Sequence, residues 1–268
     1  MKGSAEIVAI TILILITIII GAFLYSHVIE LVNINKETKV LIHDVSLWKT
    51  NTIALLKVKI SNIGNVRISG ILIKIGNITL LNNCWHVIWY QVSNENGELG
   101  KKIGTSRIMT LNYSYNWGNG KVYSNHSDRV GYIAITLVKA GTNLVNITAV
   151  TNDGIQVYID GQKIFRGSYH RCENTSTYSK IITISNETIH SIIVKWYDWE
   201  GIAVSSIHFT GMIKFATIGI DPGETITLNI PLLGDLFTFG EKYIISIIAY
   251  DEYGNTYSDI CIVECSPI

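Results

Sequence analysis

From Ile7 to Tyr25 the chain runs without a charge, a proline or an asparagine. A helix rises ~1.5 Å per residue, so this stretch spans roughly 28 Å, about the thickness of a bilayer core. Thr11 and Thr17 can bond back to their own helix and do not interrupt it. The run is apolar on every side, so it requires lipid or other apolar helices around it. The pattern continues through HVIELVNI, predicting one helix over residues 4–36. After Lys39 the period changes. Leu56, Val58 and Ile60 alternate with Lys57 and Lys59, the two-residue period of a half-buried strand. Asn62-Ile63-Gly64-Asn65 then reads as a hairpin turn. At the far end, Asp221-Pro222-Gly223-Glu224 turns into TITLNI, and Gly240-Glu241-Lys242 leads into YIISIIAY. Segments 37–83 and 211–268 together predict one antiparallel β-sandwich of about seven short strands.

Residues 84–210 have another texture, and every tryptophan except Trp48 lies there. In SDRVGYIAITLVKAGTNLVNITAVTNDGIQVYIDGQKIF, strands alternate with turns at Ala140-Gly141, Asn152-Asp153-Gly154 and Asp160-Gly161. KIITIS and HSIIVKWYDWEGIAVSSIHF add more strands. The expected fold is therefore mainly β with one long N-terminal hydrophobic α-helix, and a β-sandwich that carries an inserted second β-sandwich.

Lys+Arg and Asp+Glu are both 21 in 268 residues, which gives no electrostatic reason to expect a nucleic-acid partner. No G-x-S-x-G, P-loop or H-E-x-x-H is present, so we expect no enzyme. His43, His86, His190 and His208 sit among strands and read as packing or surface residues.

The opening Lys2-Gly3-Ser4-Ala5-Glu6, followed at once by the apolar run, resembles the processing site of archaeal type IV pilins. The "strand, N-x-G-N, strand" wording of VKISNIGNVRISGILIKI is similar to hairpins of archaeal pilin and archaellum-subunit sandwiches. The resemblance implies a leader over residues 1–3, cut after Gly3 by a prepilin-type peptidase, with the helix retained. It further implies insertion in the cytoplasmic membrane before the assembly machinery packs copies of the chain into an extracellular filament. Glu6, Ile7, Ile12, Ile16, Ile20 and Phe23 would be the assembly residues. Glu6 has two readings, a partner for a neighbour's free amine or an acid favoured at the helix N-terminus. A single-span surface anchor that never polymerises, and a minor or tip pilin, remain open beside the filament subunit.

The insert resembles the protective antigen-type β-sandwich domain. The matching pieces are Trp89-Tyr90, Asp128-Arg129-Val130-Gly131, Asn152-Asp153-Gly154, Val157-Tyr158-Ile159-Asp160-Gly161 and Ile193-Val194-Lys195-Trp196-Tyr197. In lectin members of that family two successive aspartates hold Ca²⁺, which holds sugar hydroxyls. The resemblance therefore implies Asn152 and Asp153 as candidate calcium ligands, and Trp117, Asp198 and Trp199 as candidate sugar contacts on cell-surface glycans. Many members keep the fold without that site, so a structural or general adhesive insert stays open.

N-x-[ST] occurs at Asn77, Asn112, Asn125, Asn146, Asn174 and Asn186. All but Asn146, which falls within an expected strand, are candidates for N-linked glycans in an exported protein. Cys84 and Cys172 both fall in the insert and are paired on that ground. Cys261 and Cys265 are left together, but four residues of straight strand set them roughly 13 Å apart, too far to bridge without a turn.

Overall fold

The computed structural model describes residues 3–34, 37–80, 83–166, 174–185, 188–211 and 213–267; within the helix it describes side chains for residues 11–28. Helix α1 runs Gly3–Ile34. Thr17 Oγ1 donates to Leu13 O at 2.8 Å, so its hydroxyl is satisfied inside the helix. None of the span Thr11–Val28 is buried against the rest of the chain. Ile12, Ile16, Ile20 and Phe23 remain about half or more exposed, on all sides of the cylinder.

The remainder is β-structure. Strands β1 (Val40–Lys49), β2 (Ile53–Asn62), β3 (Ile68–Ile75) and β4 (Ile78–Leu80) come from the first host segment. The insert contributes β5 (Trp85–Val92), β6 (Leu99–Ile108), β7 (Tyr113–Gly118), β8 (Val130–Ala140) and β9 (Leu144–Thr151). It continues with β10 (Gly154–Ile159), β11 (Gln162–Arg166), β12 (Ser176–Thr183), β13 (Ile189–Asp198) and β14 (Ala203–Thr210). Then follow β15 (Ile213–Phe215), β16 (Thr225–Leu233), a 3-10 turn (Gly234–Leu236), β17 (Lys242–Asp251) and β18 (Thr256–Pro267).

The host strands form one continuous seven-stranded sheet in the order β16-β2-β1-β18-β17-β3-β4. Its pairs are antiparallel except β1 with β18, which run parallel. β18 therefore ties the start of the β region to its end. Asp251 strengthens that tie: its carboxylate accepts Thr38 Oγ1 from the entry to β1 and the Tyr253 and Asn255 amides of the β17–β18 turn.

The insert makes two sheets, β11-β10-β13-β8-β5-β6 and β12-β9-β14-β7. β15 lies beyond the 84–210 segment yet pairs with the end of β8. Between the two sheets lies a core of Trp85, Trp89, Tyr132, Trp196, Val194 and Phe209. The six-stranded sheet is apolar on its other face as well. Ile88, Ile133, Ile135, Leu137 and Ile193 join the host core of Leu56, Ile60, Ile73, Ile247 and Leu232. The inserted sandwich is layered onto the host. β8 explains why: GYIAITLV is apolar at consecutive positions, not alternating ones, and is buried on both faces.

Candidate functional site

Strand register brings three of the insert's motifs to one tip. Gly154 pairs with Tyr197, so Asp153 and Asp198 emerge side by side one step beyond the ladder. Val130 pairs with Asp198, which brings Asp128 and Arg129 to the same end. A Cβ on Gly154 would stand 1.8 Å from the Tyr197 ring, so only glycine lets the turn close here.

Asp153 and Asp198 are both fully buried. Asp153 Oδ2 accepts the Trp199 amide at 2.7 Å. Among the described residues the Asp198 oxygens meet no N–H donor, and the Asp153 carboxyl faces them. Burial pushes the Asp198 carboxyl up to about 8, and the facing Asp153 carboxyl and the charge of Asp128 push the same way. Two carboxyls packed this closely hold a shared proton or a cation between them. Over the rim, the Arg129 guanidinium lies 4.6 Å from the centre of the Trp199 ring and 3.9 Å from Glu200.

The residues singled out in the sequence separate into two groups. Asp153, Asp198 and Trp199 converge. Asn152 sits beside them, but its Oδ1 accepts the Val204 amide at 2.9 Å and so serves to hold β14. Trp117 turns inward instead: its ring stacks on Tyr115 at 5.1 Å and lies 5.3 Å from that of Trp196. One face of Trp199 is taken by Arg129. Arg129 carried no signal of its own beyond its place in Asp128-Arg129-Val130-Gly131; only the register reveals its position.

A calcium ion takes six to eight oxygens. Among the described residues no group of three or more His, Cys, Asp or Glu is placed to hold a metal. The oxygens of Asp198 beside Asp153 fit part of such a shell, with the remaining ligands left to backbone carbonyls, water or a bound hydroxyl compound.

Asn77, Asn125 and Asn174 are exposed. Asn112 is also exposed, but its amide clasps the backbone of Phe209, accepting its N–H at 2.8 Å and donating to its carbonyl at 3.4 Å. A glycan on that nitrogen would compete with the clasp. Lys2, Cys172 and Asn186 lie outside the described residues, as do the side chains of Ser4, Glu6 and Ile7. Cys84 is buried at the start of the insert, and its expected partner Cys172 is among the residues not described. Cys261 and Cys265 are free, because β18 runs through Val263-Glu264 without the turn a bridge would need.

No family model and no curated protein matches the chain. Solved structures do align with it. The epithelial adhesin 9 A domain from Candida glabrata, in complex with Galβ1-3GlcNAc, is 9% identical over 53% of this chain and 91% of its own, with a TM-score of 0.41. The PA14 domain of an antifreeze protein, MpAFP, is 14% identical over 52% and 91%, with a TM-score of 0.41. A PA14 sugar-binding domain from an RTX adhesin is 12% identical over 51% and 95%, with a TM-score of 0.37.

Proposed function

We propose that this chain is a surface protein held by its N-terminal helix, whose insert binds a glycan through a cation seated on Asp153 and Asp198. The observation that carries the reading is the pair of fully buried carboxyls that face each other at one tip. Ionising both costs several kcal/mol, on the order of 3–5, with like charges so close and out of water. A divalent cation removes that cost and presents open coordination positions to sugar hydroxyls. Arg129 and Trp199 form the wall beside it. The role is binding and display, with no catalytic step assigned. Glycan-array binding of the full chain in detergent tests this. The account expects signal with calcium that chelator and Asp198→Asn both remove. Binding indifferent to chelator and to the substitution would refute it.

A second reading, a subunit of an archaeal pilin-type filament, is favoured by α1 and by the host's outer face. The helix is apolar on all sides and makes no contact that buries it within its own chain. On the outer face Ile244 pairs with Ile262 beside Ile260, and all three are more than half exposed. N-terminal sequencing of surface material would separate the readings: a chain starting at Ser4 within sheared filaments supports the subunit, and an intact Met1 in the membrane fraction supports the anchor.

A further inference from the structure

The β10–β11 turn, at the opposite end of β10 from the Asp153 tip, carries a half-buried contact between a carboxylate and an imidazole. Asp160 and Gly161 both take positive φ, +49° and +76°, as a two-residue hairpin turn demands. From this turn the Asp160 carboxylate reaches β13. Its Oδ1 accepts the Ser191 amide at 2.9 Å, and its Oδ2 meets His190 Nδ1 at 2.6 Å. The Asp160 amide in turn donates to Ser191 O at 2.9 Å. On the far side of the ring, Nε2 lies 2.8 Å from both Ser185 O and Thr188 Oγ1. The Thr188 hydroxyl already donates to Ser185 O at 3.0 Å, so it offers the ring a lone pair.

Each ring nitrogen therefore faces acceptors: a carboxylate on one side, a carbonyl and a hydroxyl lone pair on the other. A neutral imidazole has one N–H and would turn a lone pair toward an acceptor on one of the two sides. We infer that His190 is held as the imidazolium and works as a proton-operated latch, binding the β12–β13 connection and the start of β13 to the β10–β11 turn. The turn is where the insert meets the host. A Cβ on Gly161 would lie 3.1 Å from the Ile53 side chain, and the turn borders a cavity of about 290 Å³ shared with Asn51, Thr52 and Leu233 of the host. The latch thus holds one of the points where the two units touch.

Among the described residues Asp160 is the charged group on the ring; Ser185 and Thr188 are neutral, and the β8 residue opposite in register is Val138. Lys163 and Asp235 lie across the cavity, on β11 and the 3-10 turn of the host. The hydrogen bond to Asp160 raises His190 above the ordinary imidazole range, outweighing burial, which lowers it; the Ser185 carbonyl adds to the rise. A raised histidine contributes its stability fully below the unfolded value of about 6.5 and loses it as pH climbs through the folded value. The latch is closed in acid and opens as pH climbs through that raised value.

Side-chain nitrogen NMR of the full chain in detergent micelles tests the latch. The ring should titrate above a free histidine, and below that titration both His190 ring nitrogens should read as protonated. Asp160→Asn keeps a residue that tolerates positive φ and removes only the charge. In that variant, shown folded by its amide spectrum, His190 proton affinity should fall at least about tenfold. Protection of the Ser191 amide against exchange should fall as His190 loses its proton in the parent chain, and should be low at all pH values in the variant. A ring that titrates at or below free histidine, or a titration unmoved by Asp160→Asn, would overturn the inference.

Discussion

The two cores of this molecule are made of different material. The host core is aliphatic, built from isoleucine, leucine and valine on β2, β3, β16 and β17, with Phe237 its one fully buried aromatic. The insert core is aromatic and polar. Tyr132 meets Trp89 edge-on at 5.1 Å and stacks on Trp196 at 5.2 Å, Tyr113 and Tyr132 share a hydrogen bond at 2.8 Å, and Trp196 Nε1 reaches Val204 O at 2.9 Å. Ionisable groups divide by how they are satisfied. The host sets buried Lys49 on the Phe237 carbonyl and gives Asp251 a full set of donors at a turn, while the insert packs Asp198 against Asp153. Aliphatic burial supplies stability that is indifferent to pH. Buried titratable groups cost stability and are kept where they hold a ligand or a switch. The host reads as a scaffold and the insert as the working unit, with the β8 sheet shared between them.

The largest effect should come from the insert's aromatic core. Trp196→Ala should cost about 3–5 kcal/mol. Because the opposite face of that sheet lines the host core, hydrogen exchange should show β2 and β17 losing protection together with β13. If the host strands kept full protection, the two cores would be independent and the comparison would need to be redrawn.

Asp198→Asn should come next. In the parent chain the raised carboxyl binds a proton in the folded state that the unfolded chain releases, so stability should fall as pH rises from about 4 to about 8 in chelator. The substitution should flatten that slope and stabilise the chain near pH 8 by on the order of a few kcal/mol, as denaturant melts would show. Any decline surviving above pH about 6.5 then belongs to His190.

Smaller effects test the periphery. Asn112→Ala should cost about 1–2 kcal/mol by freeing the Phe209 backbone, whereas Ser114→Ala removes the sequon alone and should be nearly neutral. Chemical denaturation of both variants separates clasp from glycan. Across the seam, Lys195 meets Asp235 at 3.8 Å with the aspartate well exposed, so Asp235→Asn should change the melting free energy by less than about 1 kcal/mol.

Much of this architecture is visible in the residues themselves. The helix follows from an uninterrupted apolar run, and β2 from its alternation. Asn152-Asp153-Gly154 and Asp160-Gly161 mark their turns by composition alone. What periodicity does not disclose is which faces meet. Ile133 and Ile135 look like the second face of an ordinary strand until the host is seen covering them. Trp117 has the composition of a sugar platform, but its neighbours across the sheet turn it into core. Asp198 and His190 gain their chemistry from partners 45 and 30 positions away, Asp153 and Asp160, which only the strand register can supply.

Calcium titration at about pH 8, followed by thermal melting of the parent chain and Asp198→Asn, tests whether the Asp153–Asp198 tip seats a cation. The account predicts a concentration-dependent rise in melting temperature for the parent chain and none for the variant. A parent chain that ignores calcium, or a variant that responds equally, would contradict it.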